Sequence, residues 1–254
     1  MHSLTELIIL SLIQGITEWL PISSEGVSVF VLVKFFNSSP AEAVSYAIYL
    51  HFGTMLAVLL KFRSEFYRIL SFSDRHLIKI IVVSAAFTAV TGIPMLQFLK
   101  GFQSGFEVTL FIGVMLVITG IILGLPKTGF RKLSEVNLFD MILVGFFQGF
   151  AILPGISRSG TTISVLLLRK IDKEDALKIS FLISVPAVLG AVFLELLSGN
   201  VELSAVGGVT IPLTLLTGYI TMDVLLRIAK NLNFSIFCIG LGLLTILVTF
   251  LTSL

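Results

Sequence analysis

The sequence contains few charged residues and almost no cysteine, and both features limit the classes of protein to which it can belong. Only 13% of its 254 residues are Asp, Glu, Lys or Arg, whereas 56% are hydrophobic. The single cysteine, Cys238, excludes an internal disulfide and leaves too few thiols for a zinc or iron–sulfur site. A mean hydropathy of +1.06 and repeated apolar runs near the length of one helical crossing indicate a polytopic helical membrane protein. The first apolar run lacks the basic start and cleavage site of a signal peptide, so we expect it in the mature chain.

Six apolar stretches are long enough to cross a bilayer as single helices. They fall at residues 43–62, 77–96, 106–125, 177–196, 207–227 and 234–253. Two further regions, 4–36 and 138–169, are too long for one helix and too short for two crossings with a turn. Each is interrupted by a motif rich in proline, glycine and serine, which favours a re-entrant helix–turn–helix hairpin. The competing interpretation treats each region as a simple span, for eight spans in all.

Loop charge distinguishes these two interpretations. With six spans, one side of the membrane receives only Lys34 and Lys100, and Arg158 lies inside the second hairpin. The other side receives the remaining fourteen basic residues, which are Lys61, Arg63, Arg68, Arg75, Lys79, Lys127, Arg131, Lys132, Arg169, Lys170, Lys173, Lys178, Arg227 and Lys230. With eight spans the same residues divide eight against eight. The positive-inside rule therefore favours six spans in the cell membrane, with both termini outside and the second hairpin opening to the cytoplasm.

The two hairpin regions are similar in sequence. A gapless shift of 134 places "QGITEWLPISSEG" (14–26) on "QGFAILPGISRSG" (148–160), with agreement at five of thirteen positions. Each half of the chain, 1–125 and 126–254, then holds one hairpin and three spans. Because three is odd, the second half is inverted relative to the first. We therefore predict one all-α membrane domain of six transmembrane helices and two re-entrant hairpins in an inverted-topology repeat.

The second hairpin predicts an anion site. In "PGISRSGTT", hydroxyls and glycines stand immediately before a helix, whose free N–H groups and dipole favour anions, and Arg158 adds a planar fork that matches phosphate oxygens. The candidate phosphate-binding residues are Ser157, Arg158, Ser159, Gly160, Thr161 and Thr162. The alternative, in which small and hydroxylated residues only pack helices, stays open for the serines. It explains Arg158 poorly, because an unpaired arginine at this depth is costly.

The first hairpin carries groups that complement an anion site, namely Gln14, Glu18, Ser23 and Ser24. A carboxylate does not bind phosphate directly. Glu18 therefore has three alternative roles: it can hold a divalent cation that binds phosphate, act as a general base, or neutralise Arg158 as a structural ion pair.

Together, "QGITEWLPISS" and "PGISRSGTTIS" resemble the two signature segments of the undecaprenyl-diphosphatase (bacitracin-resistance) family, written [EQ]-x-x-x-E and P-G-x-S-R-S-G-x-T. The resemblance covers nearly the whole chain, including "HFGTMLAV" and "SFLISVPAVLGA". It implies a membrane phosphatase that removes the terminal phosphate of a polyprenyl diphosphate and so recycles a lipid carrier for cell-envelope glycan synthesis. It also implies a divalent cation (Mg²⁺ or Ca²⁺, with Glu18 as a candidate ligand), no organic cofactor, and lipids rather than nucleic acid as partners. By motif, the implied catalytic residues are Gln14, Glu18, Ser23, Ser24 and Arg158.

The chain departs from this family where it reads "SSEGV" in place of S-S-x-G-H. Val27 occupies the histidine position and cannot transfer a proton, whereas a serine nucleophile with Glu18 as base remains possible. Glu25 and His51 are the candidates to compensate, although a lone helical histidine is often only a structural residue. The alternative function is a carrier that moves a lipid phosphate or another anion without hydrolysis, since inverted repeats with broken helices are typical of transporters.

Overall fold

The computed structural model describes residues 3–99, 101–102, 104–125, 129–197, 203–229 and 234–251. The predicted start of the second half at residue 126, the predicted end of the last span at residue 253, and Lys100, Lys127 and Lys230 lie outside these residues. The described residues contain eleven α-helices and no β-strand, and an isolated bridge joins Arg131 to Ile171.

The helices follow the chain in simple order. They are α1 (Leu4–Thr17), α2 (Ser24–Phe35), α3 (Pro40–Lys61), α4 (Arg63–Leu70), α5 (Arg75–Leu99), α6 (Gly105–Gly124), α7 (Leu138–Gly149), α8 (Arg158–Leu168), α9 (Lys173–Leu197), α10 (Leu203–Ala229) and α11 (Phe234–Leu251). Short 3₁₀ turns cover Leu133–Glu135 and Phe150–Ile152. The predicted all-α class is confirmed.

Four helices, α3, α5, α6 and α9, are long and apolar enough to cross a membrane. They coincide with the first four predicted spans. The other two predicted spans, 207–227 and 234–253, fall on α10 and α11. The apolar runs therefore located these helices to within a few residues, because a crossing-length run of hydrophobic residues has few alternatives to a helix.

Each predicted hairpin region breaks into two short helices, α1 with α2 and α7 with α8. The breaks fall at the two polar motifs, and the second helix of each pair begins with the same N-cap. Ser23 Oγ accepts a hydrogen bond from the N–H of Gly26, and Ser157 Oγ accepts one from the N–H of Gly160, each at 3.1 Å. A serine oxygen in this position satisfies a backbone donor that the helix leaves unpaired. These four residues are equivalent under the shift of 134.

The two halves of the sequence interlock. Helix α1 packs on α10, and α7 packs on α5, so the first helix of each hairpin lies against a helix of the other half. Small residues permit this close approach: a Cβ on Gly15 would lie 2.7 Å from Thr217, and one on Gly145 would lie 2.3 Å from the Ser84 carbonyl oxygen. Helices α3 and α9 meet between these pairs, and α6 packs along α11. These contacts hold the first helix of each hairpin against the other half of the chain.

A buried carboxylate fixes the start of the second hairpin. Asp140, in the first turn of α7, is fully buried, and it lies 2.8 Å from Arg131 and 2.6 Å from Arg169. Asn137 caps the same helix by accepting the N–H of Asp140 at 3.0 Å. Because Arg169 directly follows α8, this cluster ties the first helix of the hairpin to the end of the second.

Candidate active site

The tips of the two hairpins touch each other. The N–H of Gly155 donates to Ser23 Oγ at 2.9 Å, which links the second tip to the first. A Cβ on Gly26 would lie only 2.7 Å from the Gly155 nitrogen, and Gly155 itself has φ +100°, a conformation that favours glycine. This contact brings the N-termini of α2 and α8 together.

Glu18, just after α1, is the centre of the hydrogen-bond network at these tips. Its side chain is 5% exposed. Its Oε1 pairs with the guanidinium of Arg158, and its Oε2 accepts from Gln14 Nε2 at 2.8 Å and from Ser24 Oγ at 2.7 Å. The neutralisation of Arg158, one of the three alternatives from the sequence, is therefore present in this geometry. The contact with Ser24 is also the one that a general base requires.

His51, on α3, reaches the same carboxylate and the same serine. Its Nε2 lies 3.4 Å from Ser24 Oγ and 3.3 Å from Glu18 Oε2. Its Nδ1 lies 2.8 Å from the carbonyl oxygen of Ala47, so Nδ1 carries the hydrogen. Nε2 is then the ring nitrogen that can take up or release a proton, and it lies beside both the Ser24 hydroxyl and the Glu18 carboxylate. His51 thus places an ionisable ring beside Ser24 and Glu18, and can carry a proton there as Val27 cannot.

The two serines of the first hairpin differ in the hydrogen bonds that their hydroxyl groups form. Ser23, at φ +61°, accepts two backbone N–H bonds, from Gly26 and from Gly155. Both lone pairs of its hydroxyl oxygen are therefore engaged. Ser24 instead donates its proton to Glu18 and accepts no backbone bond in the network described above. Of these two serines, Ser24 therefore presents the oxygen that is better suited to attack an electrophile.

Glu25 has a different environment from Glu18. It is 6% exposed, and its Oε1 is buried without a hydrogen-bond partner in the described structure. Among the described residues, no three His, Cys, Asp or Glu side chains are arranged to hold a metal ion. Both oxygens of Glu18 already have partners, so its donor set does not fit a cation bound by protein alone. The unpartnered Oε1 of Glu25 is a carboxylate oxygen of the kind that binds a divalent cation such as Mg²⁺.

The residues of the second motif separate into two groups. Ser157, Arg158 and Ser159 line a small polar pocket, together with Glu18, Ser23, Ser24, Glu25 and His51. Gly160, Thr161 and Thr162 are buried and are not among the described residues that line it. The Gly160 N–H is engaged by Ser157, and Thr162 Oγ1 bonds the Arg158 carbonyl at 2.9 Å and Ser180 Oγ at 2.6 Å. Their phosphate contact stays a prediction, whereas their observed bonds support the turn.

An apolar cavity of about 330 Å³ adjoins this polar pocket. Four residues, Glu25, His51, Ala151 and Arg158, line both spaces, so the polar groups stand at the inner end of the apolar one. Small residues of α5 and α9 form much of its wall, and Gly92 and Gly190 are among them. At its rim Ile93 and Phe193 are exposed, 42% and 60%, on the outer surface of the helix bundle.

Phe181, on α9, is a site residue that the sequence argument did not single out. The Arg158 guanidinium carbon lies 5.9 Å from the centre of its ring, and Trp19 meets the same ring edge-on at 5.7 Å. An aromatic face at this distance attracts a cation and restrains its position. The sequence signal for Phe181 was its place in "SFLISVPAVLGA", a segment that entered the sequence analysis only as part of the family resemblance.

The sequence matches known proteins over nearly its whole length. The model of the family described as "Bacitracin resistance protein BacA" matches residues 7–246. The chain belongs to this BacA family. An undecaprenyl-diphosphatase of Methanothrix thermoacetophila is 44% identical over 245 residues, which are 95% of each chain. One of Methanococcoides burtonii is 44% identical over 268 residues, and one of Methanopyrus kandleri is 40% identical over 255 residues. These alignments cover 99% and 95% of this chain, and 100% and 94% of the relatives.

Membership of the BacA family, together with several crossing-length apolar helices, makes the chain a multi-pass membrane protein. The match includes both hairpin tips, so the paired tips lie inside the region that defines the family. The resemblance read from the two motifs is confirmed.

Proposed function

We propose that this protein hydrolyses a polyprenyl diphosphate of the undecaprenyl type to the monophosphate and phosphate, in the recycling of a lipid carrier. One observation carries the proposal: Ser24 donates its proton to Glu18 beside Arg158 and His51, at the inner end of an apolar cavity. This arrangement combines the activated hydroxyl of Ser24, the positively charged Arg158 to bind an anion, and a cavity for a hydrocarbon chain. The names of the relatives support hydrolysis over the carrier alternative.

Arg158 and the turn before α8 bind the diphosphate. A guanidinium has five N–H donors. Arg158 directs Nη2 at Glu18 and Nη1 at the Ser180 carbonyl oxygen at 3.5 Å, so others remain for phosphate oxygens. The hydroxyls of Ser157 and Ser159 line the same pocket and add donors at the N-terminus of α8. The isoprenoid tail lies in the apolar cavity and leaves it between Ile93 and Phe193, toward the bilayer.

Ser24 is the nucleophile and Glu18 its general base. The Ser24 oxygen attacks the terminal phosphorus while its proton passes to Glu18, the new O–P bond forms, and the bond to the bridging oxygen breaks. The lipid monophosphate leaves with that oxygen. Water then attacks the phosphoserine phosphorus and gives its proton to His51 Nε2, the bond between Ser24 Oγ and phosphorus breaks, Glu18 returns its proton to Ser24 Oγ, and phosphate is released. His51 Nε2, which faces both Ser24 and Glu18, carries protons between them and the bound phosphates.

Glu25 would hold a divalent cation that arrives with the diphosphate, because its Oε1 is the unpartnered carboxylate oxygen beside the pocket. When bound, such a cation neutralises phosphate charge and assists the departure of the monophosphate. The protein's own contribution there is a buried acceptor at a fixed position.

The topology that accompanies this function has six spans, two re-entrant hairpins and inverted halves at 1–125 and 126–254, with both termini outside. The short helices of each hairpin, the equivalent serine caps and the crossed packing of α1 on α10 and α7 on α5 support it. In intact cells, Ser3→Cys in a Cys238→Ser background should react with an impermeant thiol reagent, and Ser134→Cys should not. Equal labelling of both positions would contradict this arrangement.

Purified protein tests the function directly. Detergent-solubilised protein should release inorganic phosphate from undecaprenyl diphosphate, and Glu18→Gln should bind the lipid without releasing phosphate. Glutamine keeps the shape of the side chain but cannot accept the Ser24 proton. A Glu18→Gln protein as active as the native one would contradict the assignment of the base.

A further inference from the structure

Helix α4 and the turn after it form a surface that the rest of the described chain does not cover. Crossing-length helices α3 and α5 flank this segment, so it lies at a membrane face. None of the residues in α4 is buried. The surface, called here the α4 surface, consists of the exposed residues Arg63, Tyr67, Arg68, Leu70, Phe72 and Arg75.

The apolar members of the α4 surface are among the most exposed large hydrophobic side chains in the described structure. Tyr67, Leu70 and Phe72 are 73%, 78% and 77% exposed. Arg63, Tyr67 and Leu70 lie at positions i, i+4 and i+7 of one helix, so they share one face. Phe72 has φ +55°, which a bulky residue adopts only at a cost in backbone strain. The backbone therefore directs the Phe72 ring outward, where contact with water is unfavourable for it.

The charged side chains most exposed beside these apolar groups are the three arginines. Glu65 has a 13% exposed side chain and lies 2.6 Å from Lys178 on α9. Asp74 has a 26% exposed side chain and accepts the Leu77 N–H at 2.9 Å at the start of α5. Arg68 is 48% exposed and forms an ion pair at 3.8 Å with each of these carboxylates, so much of its guanidinium still faces outward. An exposed face of arginines and apolar side chains at a membrane boundary has the chemistry of an interfacial lipid-binding helix.

We propose that the α4 surface is a binding site for anionic phospholipid headgroups, with Tyr67, Leu70 and Phe72 inserted at the level of the acyl-chain boundary. The arginines complement phosphodiester charge, and aromatic residues favour this depth of a bilayer. The site is separate from the hairpin tips, and its test requires no phosphatase activity.

Depth measurements test the insertion. Spin labels are attached to Leu70→Cys and Phe72→Cys, each in a Cys238→Ser background, in nanodiscs of phosphatidylcholine and phosphatidylglycerol. The reference label is at Lys132→Cys, since Lys132 is 64% exposed in the loop before α7. We expect positions 70 and 72 to relax with oxygen and resist a water-soluble nickel complex, and position 132 to do the reverse. Labels at 70 and 72 that are as open to nickel as the reference would overturn the proposal.

Charge variants test the preference for anionic lipid. The triple variant Arg63→Gln, Arg68→Gln, Arg75→Gln is compared with a matched control of equal charge change, Lys132→Gln, Lys170→Gln, Lys173→Gln. Energy transfer from a dye on Ser71→Cys to headgroup-labelled lipid at low mole fraction reports local enrichment of phosphatidylglycerol over phosphatidylcholine.

The arginine triple should lower the enrichment at least about tenfold, since each basic residue near an anionic surface contributes roughly a factor of five. The lysine triple should leave it within about twofold, because those residues lie outside the α4 surface. Equal losses of enrichment in the two triple variants would show that the lipid responds to the overall positive charge of the protein and not to a site, and would overturn the proposal. Labels at 70 and 72 shielded from both oxygen and nickel, in particles with the mass of a dimer, would identify a contact between two copies and also overturn the proposal.

Discussion

The His51→Gln substitution separates proton transfer from hydrogen bonding at Ser24. In the native site His51 Nε2 lies 3.4 Å from Ser24 Oγ and 3.3 Å from Glu18 Oε2. A glutamine amide reaches the place of Nε2 and can hydrogen-bond there. It cannot take up or release a proton in the neutral pH range. The variant therefore keeps the shape and polarity of the site while it removes the proposed proton carrier.

The expected loss follows from the role assigned to the ring. A positioned acid or base contributes about 10²–10⁴-fold, which corresponds to roughly 3–5 kcal/mol of transition-state stabilisation. The lost bond from Nδ1 to the Ala47 carbonyl costs about 1 kcal/mol of folding stability. That loss lowers the Tm without changing kcat in the folded population. We therefore expect kcat for phosphate release to fall at least about 10²-fold with KM nearly unchanged, because the contact acts in the transition state.

Two further variants check this interpretation. His51→Asn retains a donor near the position of Nδ1, so it should match His51→Gln in kcat and exceed it in Tm. Val27→His restores a histidine one turn after Ser24 on α2, and in the His51→Gln background it should recover part of the lost kcat. Turnover of His51→Gln within about threefold of the native protein would refute the proton-transfer role, since the expected loss is at least about 10²-fold.

Three other predictions address the phosphate site and the charge network. Ser24→Ala should abolish phosphate release, whereas Ser23→Ala should keep measurable turnover but lower the Tm, because two buried N–H groups lose their acceptor at about 1–3 kcal/mol each. Arg158→Lys should reduce kcat/KM by about 10²-fold or more with the fold intact by circular dichroism, since lysine keeps the charge but loses the planar fork. Burial acts to raise the pKa of Glu65, but hydrogen bonds from Lys178 and Ser64 outweigh it and hold that pKa below its ordinary 4.5. The ionised carboxylate therefore stabilises the fold above pH 4.5. The Tm of the native protein should exceed that of Glu65→Gln there, and the difference should vanish as the pH falls through the lowered pKa. A Tm difference that persists at lower pH would contradict this role of the Glu65 carboxylate.

The features set by long hydrophobic runs or by the chemistry of one residue were predictable from the sequence. Helices α3, α5, α6 and α9 were predictable because a loop exposed to water would not contain hydrophobic runs of that length. The breaks within the hairpins were predictable because proline and glycine stand beside polar residues there. The meeting of Glu18 and Arg158 was one of three alternatives for Glu18, since a buried arginine requires a counter-charge.

Features that depend on helix phase or on packing between distant segments were not predictable. Thr161 and Thr162 sit in the same motif as Arg158, yet the turn directs them into the core, where Thr162 bonds Ser180. Phe181 reaches Arg158 only because α9 packs beside α8. Helix α4 escaped notice because eight residues are too few to establish a hydrophobic period.

The most direct test of the central claim measures binding and turnover on one sample. Purified native protein and Val27→His are each loaded with undecaprenyl diphosphate across a divalent-cation series, and bound lipid and released phosphate are counted together. Our account predicts several phosphates released per bound lipid site by the native protein, since Ser24, Glu18 and His51 already provide nucleophile, base and proton carrier, with Val27→His equal or faster. Native protein that binds the lipid stoichiometrically but releases no phosphate, while Val27→His does release it, would identify a carrier and contradict the account.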